Sequence, residues 1–277
     1  MDQQIKLNDG NQIPAIGFGT AQLRGNGGQQ AITAAINNGY HFLDSAFNYD
    51  NEGAVGAAVR QSSVPREQIT VMSKLPGRYH AYQDALNAIE ESLFRMQLDY
   101  FDLYLIHWPN PQQDQYVSAW QALIEAQKRG DIKSIGVSNF LPEHTMRLIK
   151  ETDVIPAVNE IQVYPYFNNQ AGIEFDQQHA IQTIGWSPLG RSGNIYKDPA
   201  LLQIAADENK SVAQVVLRWE LQQGVIPIPR SHSAHHQLEN RAIFDFKLNQ
   251  QQMAKISSLS QIDGRSADQN PATHEQH

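Results

Sequence analysis

The chain has 277 residues with a formal net charge of −8, 41% hydrophobic and 18% charged residues, and no cysteine. That length and apolar content suit one α/β domain with a sizeable core rather than a disordered chain. The acidic balance argues against a nucleic-acid footprint, and the missing cysteines exclude disulfide scaffolds, thiolate metal sites and cysteine nucleophiles.

The first predicted element is a β-hairpin. Asn8-Asp9-Gly10-Asn11 forms a turn between Ile5-Lys6-Leu7 and Gln12-Ile13-Pro14. Strand-like runs then fall near 16–19, 40–44, 69–74, 101–107, 132–138, 157–163, 182–187 and 225–229, with helix-like stretches between them. The 81–98 stretch puts Leu86, Ile89, Leu93 and Met96 on one face. The 116–129 stretch ends in Lys128-Arg129-Gly130, with cations in the last turn and a glycine to close it. Pro142 sits in the first turn of a third helix, and Ser211 is placed to cap a fourth through Val216, Leu217 and Leu221. Strict alternation of strand and helix predicts parallel strands with right-handed crossovers, and eight such units close into a (β/α)8 TIM barrel carrying an N-terminal β-hairpin. The rival doubly wound sheet requires a glycine fingerprint that Gly17-Phe18-Gly19-Thr20 does not continue. No linker or repeat divides the chain, so residues 1–277 read as a single domain with a loosely held tail from about 265.

A barrel gathers its reactive groups at the carboxyl ends of its strands. Here those ends carry Asp44, Lys74, His107, Asn139, Gln162, Trp186 and Arg230, and they are expected to converge. Taken singly, each has a plain structural reading: a capping aspartate, a snorkelling lysine, a satisfied histidine. As a group they have a chemical one. A lysine beside Tyr49 favours phenolate and so lowers the phenol's pKa, an aspartate keeps that lysine charged, and the tyrosine becomes a general acid. His107 can then orient a carbonyl oxygen shared with Tyr49.

At these residues the chain resembles an aldo-keto reductase, of the short microbial, diketogluconate reductase-like kind. The likeness runs from Leu7-Asn8-Asp9-Gly10 to about Asp263-Gly264-Arg265. It is carried by Ile16-Gly17-Phe18-Gly19-Thr20, the Asp44 to Tyr49 segment with Glu52 and Gly56, and Ser73-Lys74-Leu75. Further along come Ile106-His107-Trp108-Pro109, Gly136-Val137-Ser138-Asn139-Phe140, Trp186-Ser187-Pro188-Leu189-Gly190 and Ile228-Pro229-Arg230-Ser231. The resemblance implies reduction of an aldehyde or ketone by hydride from NADPH, with NADH a weaker alternative. It makes Tyr49 the proton donor, Lys74 and Asp44 its tuning pair, and His107 the residue that orients substrate. Cofactor contacts are expected from Thr20, Asp44, Ser138, Asn139, Glu160, Trp186, Ser187, Leu189 and Gly190. Arg230, Ser231, His236, Glu239 and Asn240 are expected near the adenosine end, where a guanidinium suits phosphate. Trp108 and Phe47 are expected to wall the substrate pocket beside Tyr49 and His107.

Two departures from the family pattern carry weight. Glu160 stands where glutamine is usual, so it accepts hydrogen bonds but loses a donor, and its charge would favour the oxidised cofactor. His236 stands where many members have arginine, and a mostly neutral histidine softens the preference for NADPH. The histidines His232, His235 and His236 lack a carboxylate at ligand spacing, so no metal is expected. Short loops after Gly190 and Pro111 predict an open mouth and tolerance for small carbonyls.

The competing readings are a nucleotide-binding sensor or regulatory subunit with little turnover, and a hydrolase working through paired carboxylates. The full set of Asp44, Tyr49, Lys74 and His107 favours the reductase. No apolar run approaches the roughly 18 residues of a membrane span, and the start lacks the pattern of a signal peptide. A cytoplasmic monomer acting on a small molecule, without nucleic-acid or membrane partners, is the expectation.

Overall fold

A computed structural model describes residues 3–262, 264–265 and 269–277. The tail expected from about 265 and the family likeness to Asp263 therefore fall partly outside the described residues. The hairpin forms as read, with β1 (Gln4–Lys6) antiparallel to β2 (Gln12–Pro14). Eight parallel strands follow in chain order: β3 (Phe18–Gly19), β4 (Phe42–Asp44), β5 (Thr70–Leu75), β6 (Phe101–Ile106), β7 (Ile132–Ser138), β8 (Val158–Gln162), β9 (Gln182–Trp186) and β10 (Ile226–Pro227). Each pairs with its sequence neighbour. The sheet closes on itself, because Gly17 N–H donates to the Pro227 carbonyl at 3.0 Å and Gly19 N–H donates to that of Pro229 at 3.1 Å.

The barrel interior is packed. Phe42, Met72, Leu103, Leu105, Val158, Ile184 and Ile226 fill it, with Leu7 and Ile13 of the hairpin in the same cluster. Each such side chain contributes roughly 1.5–3 kcal/mol by leaving water. There is no spare room: a Cβ on Gly136 would lie 2.6 Å from Val158 and 2.8 Å from Leu105. The hairpin plugs the amino-terminal end of the barrel, where the Asn8 amide donates to the Pro156 carbonyl and the Asn11 amide to Ser134 Oγ. That leaves the carboxyl ends as the open face.

The helices read at 81–98, 116–129, Pro142 and Ser211 all form. Helix α1 (Gly25–Asn37) and α2 (Glu52–Gln61) precede α3 (Tyr82–Met96), whose buried face includes Leu86, Ile89 and Met96. Helix α4 (Tyr116–Arg129) ends at Gly130, whose φ of 90° closes the last turn as only glycine readily does. Helix α5 (Pro142–Thr152) starts on its proline, and α6 (Gln170–Gln178) and α7 (Pro199–Glu208) follow. Ser211 and Gln214 cap α8 (Val212–Gln222) reciprocally, and α9 (Ala234–Arg241) and α10 (Gln250–Ser257) complete the outer layer.

Residues 269–277 lie across the open face, where Asn110 offers both amide atoms to the Gln276 backbone at 2.9 and 3.0 Å.

Candidate active site

A cavity of about 690 Å³ opens at the carboxyl ends of the strands. Strand register builds it: Gly19 pairs with Asp44 on β3 and β4, and Ser138 with Glu160 on β7 and β8. Asp44, Tyr49, His107 and Trp108 line one end, Ser138, Asn139, Glu160 and Trp186 the middle, and Leu189, Gly190 and Arg230 the other end. So residues spread over nearly two hundred positions do meet. Gln162 does not join them; it lines a smaller hollow beside Phe140, Asn169 and Arg265.

Lys74 sits behind the cavity wall, fully buried on β5. Its ammonium is paired with the Asp44 carboxylate, donates to the Ser45 carbonyl at 3.0 Å, and lies 3.1 Å from Glu160 Oε2. It also stands 5.2 Å from the centre of the Tyr49 ring. Burial disfavours charge on this lysine, but Asp44, Glu160 and Tyr49 more than reverse that, so it is held as the ammonium. Burial, then Asp44, pushes Glu160 up to about 8 against the pull of Lys74. Near neutral pH Glu160 therefore holds its proton and has the donor that a carboxylate would lack.

Tyr49 corrects one expectation. Burial raises the phenol, Lys74 pulls it back, and Asp44 and Glu160 raise it further; the net shift is upward. The lysine's charge is shared with two acids and cannot overcome the loss of water. Tyr49 thus keeps its proton across the physiological range. Its ring meets that of His107 edge-on, with 5.8 Å between centroids. His107 is pushed well below the usual range by burial and then by Lys74 and His274, so its imidazole is neutral. One phenol with a proton to give and one neutral imidazole share the same end of the cavity.

The middle of the cavity is a connected polar floor. The Trp186 indole N–H donates to Asn139 Oδ1 at 2.9 Å, and the Asn139 amide donates to Ser138 Oγ and to the His107 carbonyl, both at 3.0 Å. Ser138 O–H donates to the Glu160 carbonyl at 2.9 Å. Asn139 holds a φ of 60°, a left-handed conformation that asparagine tolerates better than most residues. Beyond it the chain turns at 187–190, where Ser187 and Gly190 both have positive φ and Gly190 N–H donates to the Ser187 carbonyl. A Cβ on Gly190 would also crowd the Tyr164 ring at 3.2 Å. At the far end Arg230 is exposed and donates to the Ala21 carbonyl at 2.6 Å and to the Gln22 side chain.

Several expected contacts lie off the cavity wall. Thr20 is fully buried and donates to the Asp44 carbonyl, so its side chain ties β3 to β4. Phe47 belongs to the core instead of the pocket: the turn at 47–49 aims its ring at Tyr79, and Arg95 covers it at 3.9 Å. Ser231, His236, Glu239 and Asn240 stand on or just before α9, beyond Arg230. Gln269 and Gln276 of the tail line the cavity, unannounced by any periodicity in the sequence, and they narrow the mouth expected to be open. Asp44 and Glu160, the two acids a paired-carboxylate hydrolase would use, both turn onto Lys74 rather than facing each other across a substrate.

Comparison with known proteins agrees with the geometry. A model of the Aldo/keto reductase family matches residues 15–261. The chain is 44% identical over 272 residues to 2,5-diketo-D-gluconic acid reductase B of Corynebacterium sp. (strain SHS752001), covering 98% of each chain. It is 42% identical to glyoxal reductase of Bacillus subtilis (strain 168), covering 92% of each. Among solved structures it superposes on a mutant of Gox0644 in complex with NADPH with a TM-score of 0.94 at 37% identity, covering 99% of each chain.

Proposed function

Because the chain belongs to the aldo/keto reductase family, we propose that this cavity reduces small aldehydes or ketones to alcohols, with Tyr49 as the proton donor. The observation that carries the reading is the single groove joining Tyr49 and His107 at one end to Arg230 at the other. The residues along it fit a dinucleotide: an indole face at Trp186, amide-pairing groups at Ser138, Asn139 and Glu160, a tight turn at 187–190, and a guanidinium at the end. Glu160 Oε2 faces the Lys74 ammonium at 3.1 Å, and the protonated carboxyl offers the groove a donor as well as an acceptor. When bound, NADPH supplies the hydride.

The protein's own part is to place and protonate the carbonyl. His107, neutral, donates a hydrogen bond to the carbonyl oxygen and fixes its direction. Tyr49 gives its proton to that oxygen as negative charge develops there, and the Lys74 ammonium stabilises the phenolate left behind. Asp44 keeps Lys74 charged and in place. Trp108 and the tail wall the carbonyl end, and the relatives' names, glyoxal reductase and diketogluconic acid reductase, favour small dicarbonyls and sugar-derived ketones as substrates. Ser231, His236, Glu239 and Asn240 are assigned to the adenosine end with Arg230. A monomer working in the cytoplasm is proposed.

The test is NADPH oxidation, followed by absorbance against a panel of small aldehydes and ketones, for wild type and Tyr49→Phe. Turnover by wild type, lost by about 10²-fold or more in the variant while NADPH still binds, is the expected result. Binding of NADPH with no carbonyl reduced would favour a sensor, and no binding of NADPH would end the reading.

A further inference from the structure

Gln276 reaches from the tail into the carbonyl end of the cavity, where its amide nitrogen lies 3.2 Å from His107 Nδ1. An amide NH2 has only protons to offer, so Nδ1 must accept and cannot carry one. The proton of a neutral imidazole then sits on Nε2. We propose that Gln276 is a positioning residue of the reduction, fixing His107 in the tautomer whose Nε2–H is free to hydrogen-bond a substrate carbonyl oxygen. This rests on the reductase reading given above.

The opposite arrangement works against the chemistry. With the amide turned over, its oxygen would accept from Nδ1–H, and Nε2 would present a lone pair to a carbonyl oxygen that is itself an acceptor. It would also leave the buried NH2 with donors to satisfy, where the present orientation leaves one carbonyl oxygen unpaired.

The tail is held for this purpose by more than one contact. Asn110, only 2% exposed, donates to the Gln276 carbonyl at 2.9 Å and accepts from its N–H at 3.0 Å. Next to them Gln112 N–H donates to Glu275 Oε1 at 2.7 Å, and His274 packs edge-on against Trp108 at 4.3 Å. Gly77 makes room: a Cβ there would lie 2.1 Å from the Asn110 amide nitrogen and 2.4 Å from the Gln276 carbonyl oxygen. Its φ is not in the left-handed region, so the close approach of the tail, not the backbone, is what requires glycine. Asn110 and Gly77 form a socket, and Gln276 is what the socket presents to His107.

The experiment is nitrogen NMR of histidine-labelled, NADPH-saturated enzyme, with His107 assigned by its loss in His107→Ala. It is run on wild type, Gln276→Glu, Gln276→Leu and Gly77→Ala, alongside steady-state kinetics. The proton is expected on Nε2 in wild type. In Gln276→Glu the carboxylate accepts from Nδ1–H and moves the proton, and kcat falls by at least about tenfold with NADPH affinity unchanged. Gln276→Leu and Gly77→Ala, which only remove the donor, mix the two tautomers and lose less. A wild-type proton on Nδ1, or a Gln276→Glu enzyme that keeps its kcat, or one that loses it with the proton still on Nε2, overturns the proposal. If no carbonyl on the panel is reduced, the reductase reading fails separately, while the position of the proton still decides whether Gln276 sets the tautomer.

Discussion

Glu160 Oε2 lies 3.1 Å from the Lys74 ammonium that Asp44 already holds. Two acids around one cation cannot both be ionised in a site closed to water without leaving a net buried negative charge. Burial, and then the charge of Asp44, push the Glu160 carboxyl up to about 8 against the pull of Lys74, and Glu160 takes up the proton. Below that value Glu160 is an uncharged donor and acceptor, much as a glutamine would be. Above it, Glu160 is a carboxylate in the middle of the groove, where the nicotinamide is proposed to lie.

The preference between cofactor redox states should therefore depend on pH in a way that Glu160→Gln abolishes. A buried carboxylate favours the cationic, oxidised ring, so the Kd of NADP+ relative to NADPH should fall by about fivefold as pH rises through the Glu160 pKa, an effect of about 1 kcal/mol. In Glu160→Gln the ratio should stay flat at its low-pH value. Fluorescence titrations of both cofactors on either side of pH 8 check this, and parallel curves for the two proteins would refute it.

Removing the cation tests the same cluster from the other side. In Lys74→Met, kcat should fall by about 10²–10⁴ because the phenolate left on Tyr49 loses its counter-charge, while NADPH binds within a few-fold of wild type. Asp44 and Glu160 would then be buried acids without a cation, with pKa values raised further in the fold than in the unfolded chain. Such groups cost stability as pH rises above the unfolded value of about 4. The melting temperature of the variant should drop more steeply toward alkaline pH than that of wild type.

Much of this site could be read from residue order alone, because parallel strands force their ends to one face and the register is set by alternation. Asp44, His107, Asn139, Trp186 and Arg230 are found that way. What the order could not show depends on the third dimension. Phe47 and Trp108 look equally fit to wall a pocket, and only the positions of Tyr79 and Arg95 decide that Phe47 packs inward. The phenol of Tyr49 moves up and not down because burial outweighs a lysine whose charge two acids share. Gln276 lies in a stretch with no apolar period, and its place by His107 follows from the shape of Asn110 and Gly77, far away in sequence.

Arg230 should govern the choice between phosphorylated and plain cofactor. It is exposed and already extended across the groove, held by the Ala21 carbonyl at 2.6 Å, so little reorganisation precedes its pairing with a phosphate. Arg230→Ala should raise the Kd of NADPH by roughly tenfold to a hundredfold, the worth of one charge-assisted hydrogen-bonding group. The Kd of NADH should change by less than about threefold, since it lacks the phosphate. Titrating both cofactors against both proteins measures the ratio; equal losses for the two would remove Arg230 from the phosphate site.

Glu220 offers a test of stability that does not involve the reaction. It lies on α8, fully buried, with neither carboxyl oxygen hydrogen-bonded among the described residues, and burial pushes its pKa well above the usual 4.5. The sign follows from the two states. Below pH 4.5 the acid is neutral whether the chain is folded or not, and no penalty arises. As pH rises further the unfolded chain ionises freely while the fold holds the proton, so stability falls by up to about 1.4 kcal/mol per pH unit until the folded pKa is reached. Glu220→Met, of similar volume and without charge, removes that slope. Its melting temperature should exceed that of wild type by a margin that widens from pH 5 to pH 8, read by calorimetry or far-UV circular dichroism. A margin that stays constant with pH would mean that Glu220 is ionised in the fold and has a partner there.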